Sequence, residues 1–271
     1  MNTNWVGRPT VRLKEVDSTN ETVKRYASQG AENGTLIVAE RQTAGKGRRG
    51  RSWESGNGEN LLMSLLLRPS FAADKASMLT IVTAMAVCRG LERIRDEIRK
   101  QKNGCREQEA CLPAVRIKWP NDVLLGTRKV CGILTELMLD GEGGYYVVIG
   151  VGVNVNTRYF PGELEEKAAS LCREWGRSVD REAVMERIWQ EFEAVYGQFL
   201  ADGDLSVLRE EYENCLVNRG QRVHVCRPGA EFDGIAGGID ARGRLSVSSE
   251  DGEEILVDAG EVSVRGIYGY V

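Results

Sequence analysis

Four cations and no acid fall between Gln42 and Trp53, in the run Gly45-Lys46-Gly47-Arg48-Arg49-Gly50-Arg51-Ser52. Glycines let a backbone fold close to an anion and turn its N–H groups toward it, and arginine can meet a phosphate through two parallel N–H bonds. The chemistry this composition suits is binding of a nucleotide phosphate, with the Trp53 indole as a plane for the base. Gly45 to Gly50 fits the spacing Gly-x-Gly-x-x-Gly, but a dinucleotide fold needs a helix opening on the third glycine, and residues 52–59 read as loop. A P-loop fails too, because Gly47 stands after Lys46 where Ser or Thr is required. Taken alone, the segment is equally well explained as a basic surface turn.

A second cluster is Arg116-Ile117-Lys118-Trp119-Pro120-Asn121-Asp122. Strand alternation puts Arg116 and Lys118 on one face and Ile117 and Trp119 on the other. A lysine facing a cleft can neutralise a carboxylate and an α-phosphate together, which is what activation of an acid by ATP demands. Asn121 and Asp122 are candidates to hold Mg²⁺ or a ribose, against the plain alternative of a Pro-Asn-Asp turn beside an edge lysine. Gly132, Gly150 and Gly152 stand inside apolar runs, where a glycine weakens a sheet and often marks close approach by a ligand or by another backbone. They are candidates for the floor of a narrow pocket.

The elements that must position these residues follow from periodicity. Ser18 and Glu21 fit a capping box ahead of Val23, Tyr26 and Ala27, so a helix is expected there. Strands are expected over residues 35–40 and 60–67, and a helix over 74–100 with its first half buried. A polar stretch over 101–114 reads as surface loop, followed by a meander over 115–125, 129–139 and 145–156. Helices are expected over 163–175, 181–200 and 205–217. From Asn218 onward, Gly-punctuated short strands over 221–226, 232–239, 245–249, 254–257 and 261–266 predict a small all-β barrel. The expected organisation is a domain over 1–217 and a second over 218–271.

Composition narrows the function. A chain of 271 residues with 36 Lys plus Arg against 40 Asp plus Glu has no global basic field for nucleic acid or anionic membrane. Between Gln221 and Arg265 five arginines face at least eight acids, which disfavours the barrel as a nucleic-acid module. The apolar runs are too short to span a bilayer, and the first residues have no apolar signal core. Seven cysteines with no Cys-x-x-Cys point to reduced thiols and a cytoplasmic location. His224 is the sole histidine, in the alternating segment Val223-His224-Val225, so a Ser-His-Asp triad is improbable.

In this order and spacing, Asp17-Ser18-Thr19-Asn20, the Gly45-to-Trp53 loop, Lys118-Trp119-Pro120-Asn121-Asp122, Gly132-Ile133-Leu134-Thr135-Glu136 and Gly150-Val151-Gly152-Val153-Asn154 resemble the biotin protein ligases. The resemblance implies an α+β fold: a mixed sheet with flanking helices, related to class II aminoacyl-tRNA synthetases, followed by an SH3-like barrel. It implies a two-step reaction in which biotin and MgATP give biotinyl-5′-adenylate and a lysine of a biotin carboxyl carrier domain then attacks it. Ser18, Thr19, Asn20, Gln42, Gly45, Arg48, Lys118, Gly132, Ile133, Gly150 and Gly152 would bind biotin. Lys46, Arg48, Arg51, Trp53, Asn121, Asp122 and Asn154 would bind ATP or the adenylate, with Lys118 and Arg48 as the catalytic cations. Mg²⁺ would be held through the ATP phosphates, with Asp122 as a candidate ligand. The family's first loop arginine is Lys46 here, which keeps the charge and loses the planar fork. Sixteen residues precede Asp17, too few for a helix-turn-helix, so a monofunctional ligase without DNA binding is expected. Dimerisation through an exposed sheet edge is a further implication. The rivals are a lipoate or octanoate ligase, which shares the chemistry, and a non-enzymatic biotin sensor or nucleic-acid module.

Overall fold

The computed structural model describes residues 1–53, 58–101, 112–141, 143–227, 229–259 and 263–266. Strands β1 (Thr10–Val16), β2 (Leu36–Gln42), β3 (Leu61–Leu67), β4 (Val115–Lys118), β5 (Asp122–Leu125), β6 (Arg128–Leu139) and β7 (Tyr145–Val153) form one sheet. Its order is β1-β2-β3-β7-β6-β5-β4. β1 and β2 run parallel and the other neighbours antiparallel, so the sheet is mixed, as expected. The helices are α1 (Thr19–Ser28), α2 (Met78–Gln101), α3 (Leu164–Lys167), α4 (Leu171–Trp175), α5 (Arg181–Asp202) and α6 (Ser206–Cys215).

Alternation sends Leu61, Met63, Leu65 and Leu67 of β3, with Val147, Ile149, Val151 and Val153 of β7, to one face, where α2 and α5 complete the main core. The register α5 presents to it, Val184, Ile188, Phe192, Val195 and Phe199, is wholly buried. Leu66, Val148 and Ile37 point to the opposite face, under Val23 and Ala27 of α1. With both faces covered, β3 is buried along all seven residues, which is why it reads as an unbroken apolar run. Helix α1 covers only one end of its face, and the remainder is left for the loop that follows β2.

Two local expectations are corrected, and one strand carried no expectation. Ser18 is the N-cap of α1 but makes no side-chain cap bond, and the return bond from Glu21 is absent too, because Asp17 Oδ1 takes the Ser18 N–H at 2.8 Å and Glu21 turns to Lys24 and Lys46. The single helix expected over 163–175 is two, α3 and α4, because Ala168 bridges to Lys129 and the Ala169 N–H bonds Lys129 O at 2.7 Å. Strand β1 was not anticipated; its signal is the alternation of Val11 and Leu13 with charged residues ahead of a parallel partner. Cys105, Cys111 and most of the expected 101–114 loop lie outside the described residues, while the cysteines within them, such as Cys88 and Cys131, are free thiols. No helix among the described residues is long and apolar enough to cross a membrane.

The C-terminal strands β8 (Arg222–Arg227), β9 (Ala230–Ile239), β10 (Leu245–Ser249), β11 (Glu254–Val257) and β12 (Ser263–Gly266) make an antiparallel sheet, ordered β11-β10-β9-β8-β12. Its buried Val223, Val225, Ala236, Leu245 and Val247 are continuous with the main core. Trp119 fastens the two sheets: its N–H donates to Asn218 Oδ1 at 2.8 Å and its Nε1–H to Gly243 O at 2.9 Å.

Candidate active site

Strand register assembles the site. Lys118, Asp122, Gly132, Gly152 and Leu62 are successive partners across β4, β5, β6, β7 and β3, so one row of one sheet face carries them. Two residues along, Leu134, Gly150 and Ser64 form the next row on that face. The glycines remove side chains where other groups press onto the sheet. A Cβ on Gly150 would lie 2.2 Å from Asn20 Oδ1, and one on Gly132 or Gly152 would lie 2.7 or 2.6 Å from the Trp53 ring.

Asn20, at the start of α1, is set by a buried polar web. Ser64 Oγ donates to Asn20 Oδ1 at 2.6 Å, and Asn20 Nδ2 donates to Glu136 Oε2 at 2.7 Å. Lys24 pairs with the other Glu136 oxygen at 2.8 Å. Gln42 Oε1 accepts from the Thr19 N–H at 2.7 Å and from Thr19 Oγ1 at 3.0 Å. Ser18, Thr19, Asn20 and Ser64 are all nearly inaccessible to solvent.

The basic loop folds back on itself. Gly47 N–H bonds Arg51 O at 2.7 Å, Trp53 N–H bonds Gly45 O at 2.9 Å, and Lys46 bridges to Ser52. Arg49 turns the chain in the left-handed region at φ 56°, followed by Gly50 at φ 71°. The expectation of a backbone N–H cradle for an anion is therefore corrected at Gly47, Arg51 and Trp53, whose N–H groups are used inside the loop. The side chains reach outward instead. Lys46 pairs with Glu21 of α1 at 2.7 Å. Arg48 donates from Nη1 to Asn121 Oδ1 at 2.9 Å and from Nη2 to Ala259 O at 2.5 Å, joining the loop to the turn between β4 and β5 and to the segment that follows β11 in the C-terminal sheet. Burial pushes the Arg48 pKa down, Asp122 opposes that, and Arg49 and Arg51 add to it. A guanidinium in this setting gains from an added anion.

Two cavities meet at Trp53. The inner one, about 50 Å³, is lined by Ser18, Thr19, Asn20, Gln42, Lys46, Arg48, Asn121, Gly132, Ile133, Gly150 and Gly152, together with Trp53 and Lys129. The outer one, about 520 Å³, is lined by Arg51, Trp53, Lys129, Asn154 and Phe160 among others. Most residues singled out in the sequence are thus brought together. Three stand apart from both linings. Gly45 packs against the Trp53 carbonyl, Lys118 is buried at the end of β4, and Asp122 pairs with Lys129 at 2.7 Å. Ile133 contributes backbone only: its side chain is in the main core and its N–H and C=O bond Asn121. Sequence reasoning missed Lys129, which lies 5.4 Å from the Trp53 ring centroid, and Ser64 and Glu136, which hold Asn20. The signal for Ser64 was a hydroxyl in the middle of an otherwise apolar strand.

The family model for the biotin/lipoate A/B protein ligase family matches residues 13–154, and the one for the biotin protein ligase C terminal domain matches residues 220–265. Among curated relatives, the bifunctional ligase/repressor BirA of Bacillus subtilis is 36% identical over 216 residues, which are 78% of this chain and 62% of that protein. The chain thus spans less than two thirds of that relative's length. The biotin–acetyl-CoA-carboxylase ligase of Paracoccus denitrificans is 36% identical over 196 residues, 68% of this chain and 74% of that one. The solved structure of the biotin protein ligase from Aquifex aeolicus in complex with biotin and ATP is similar with a TM-score of 0.80 and 29% identity, covering 95% of this chain and 98% of that chain.

Proposed function

The chain belongs to the biotin/lipoate A/B protein ligase family, and on that premise we propose that it is an ATP-dependent biotin protein ligase, with a catalytic unit over 1–217 and a C-terminal unit over 218–271. The observation that carries the proposal is the row Lys118, Asp122, Gly132, Gly152 beneath a loop of four cations. In the first step a carboxylate oxygen of biotin attacks the α-phosphorus of ATP and pyrophosphate leaves. Negative charge grows on the phosphoryl oxygens, where the Lys118 ammonium and the Arg48 guanidinium stabilise it more than in the ground state. In the second step the amine of a carrier-domain lysine attacks the acyl carbon, the amide forms, and AMP departs with the bonding pair.

Ser18, Thr19, Asn20, Gln42, Gly45, Gly132, Ile133, Gly150 and Gly152 shape the biotin pocket in this proposal, and Lys46, Arg51, Trp53, Asn121 and Asn154 the nucleotide side. The Asp122 carboxylate is engaged by Lys129 at 2.7 Å, so its surroundings do not fit a resident divalent cation. Mg²⁺ accordingly belongs to the MgATP substrate, and no step is routed through a protein-held metal. The acceptor is a biotin carboxyl carrier domain, the reaction is cytoplasmic, and a homodimer through a sheet edge is part of the same proposal. The test is ATP–pyrophosphate exchange with biotin, lipoate and octanoate as alternative acids. Exchange with biotin alone is expected. Exchange with lipoate or octanoate alone overturns the choice of substrate, and none with any acid from folded protein overturns the ligase mechanism.

A further inference from the structure

On the C-terminal sheet, His224 and Cys226 of β8 alternate with Val223 and Val225, which are fully buried. Their register partners across the hairpin are Asp233 and Glu231 of β9. Four groups able to bind metals therefore share the sheet's outer face, two from each strand. A ring nitrogen of His224, Cys226 Sγ and a Glu231 carboxylate oxygen all lie within 4.8 Å of one another. His224 Nδ1 donates to Asp233 Oδ1 at 2.6 Å, and Nε2 lies 3.6 Å from Glu231 Oε2. A carboxylate holding the proton on Nδ1 leaves the Nε2 lone pair to face outward, the arrangement that orients metal-bound imidazoles.

We propose that His224, Cys226 and Glu231 bind one divalent cation of borderline softness, Zn²⁺ before others, with Asp233 positioning the imidazole. One nitrogen, one sulfur and one oxygen ligand with a water in the fourth place is a tetrahedral zinc set. Such a set puts its ligand atoms about 3.3–3.6 Å apart, so the cluster contracts by about 1 Å on binding. Half-exposed side chains allow that movement. The Cys226 proton passes to solvent and the sulfur and imidazole nitrogen each donate a lone pair, with no change of oxidation state. None of the four residues belongs to the proposed ligase site, so the cation acts as a clasp between β8 and β9.

The test is titration of the full chain with Co²⁺, followed by visible absorption, with Zn²⁺ as competitor. One Co²⁺ per chain is expected, with tetrahedral d–d bands and a thiolate-to-cobalt charge-transfer band that Zn²⁺ abolishes. Cys226→Ser should remove the charge-transfer band, and Cys172→Ser should leave it unchanged. His224→Gln should weaken binding at least about tenfold, and Asp233→Asn by about 10–100-fold as the loss of an orienting carboxylate. Absence of the band in the wild-type chain, its survival in folded Cys226→Ser, or unaltered affinity in folded His224→Gln would overturn the site.

Discussion

Replacing Gly150 by alanine tests whether the strand glycines are there to admit Asn20. The new Cβ would meet Asn20 Oδ1 at 2.2 Å, Cγ at 3.0 Å and Nδ2 at 3.1 Å. Ordinary contact starts near 3.4 Å, so the asparagine must retreat by about 1.2 Å. It is held at 2.6 Å by Ser64 Oγ and at 2.7 Å by the Glu136 carboxylate, and the retreat breaks both bonds. A neutral hydrogen bond contributes about 1 kcal/mol and one to a charged partner about 1.5–3, so the change costs about 3 kcal/mol. Alanine's advantage over glycine in backbone entropy, about 0.5–1 kcal/mol, offsets only part. Urea unfolding should show the loss. Calorimetry should show biotin affinity weakened at least tenfold, since about 1.4 kcal/mol per decade makes the full cost about a hundredfold. In an Asn20→Ala background the same glycine change should cost less than about 1 kcal/mol, because the clash is gone. Equal cost in both backgrounds, or wild-type stability and affinity in the single variant, would refute the reasoning.

Lys118→Ala should abolish biotin-dependent pyrophosphate exchange while leaving biotin affinity within about tenfold, because charge builds at phosphorus only in the transition state; equal loss of both would make Lys118 a ground-state ligand. Arg48→Ala gives up its bonds to Asn121 Oδ1 and Ala259 O, and the adenylate should escape at least about tenfold faster, seen as biotin on bystander lysines by mass spectrometry. The Glu21 carboxyl is held below the ordinary carboxylate range, first by Lys46 and then by Lys24. A depressed folded pKa means that this stabilisation is complete above the unfolded value, about 4.3, and lost as pH falls through the folded one. The stability difference between wild type and Glu21→Gln should accordingly be flat above about pH 5 and fade on acidification; a difference that grows toward low pH would contradict the pairing.

Periodicity located most strands and helices of the main sheet because burial on two faces leaves an unbroken apolar pattern, as in Leu61 to Leu67. It failed where tertiary contacts decide. The break between α3 and α4 depends on Lys129 O accepting from Ala169, a partner some forty residues away that no local pattern records. The return bond of the capping box failed because Asp17 is adjacent to the Ser18 N–H whereas Glu21 is three residues away. The candidate site was legible for a different reason. Glycines inside strands and cations clustered in a loop violate local preferences, and such violations mark places where something other than the local chain is served. Lys129 and Glu136 were hidden because each is unremarkable in its own segment, and only the packing of α1 on the sheet brings Asn20 to Glu136.

An inner cavity of about 50 Å³ is well below the roughly 300–1,000 Å³ of small-molecule sites, so a ligand the size of biotin enters only if the Trp53 ring leaves its seat over Gly132 and Gly152. What holds that seat is the loop, through Lys46 to Glu21, Arg48 to Asn121 and Ala259, and the ring's contact with Lys129. The half-exposed Lys46–Glu21 pair contributes about 1 kcal/mol or less and each bond from the Arg48 guanidinium about 1.5–3, ties that a multiply charged ligand offering the same donors an anion can replace. Lys46 and Arg48, two of the cations that would meet phosphate, already satisfy themselves on protein oxygens. In the proposed reaction the adenylate therefore replaces Glu21, Asn121 and Ala259 as acceptor for the same donors. The loop then need not order from nothing; it trades one set of partners for another, and the charge on the ligand decides which set holds it.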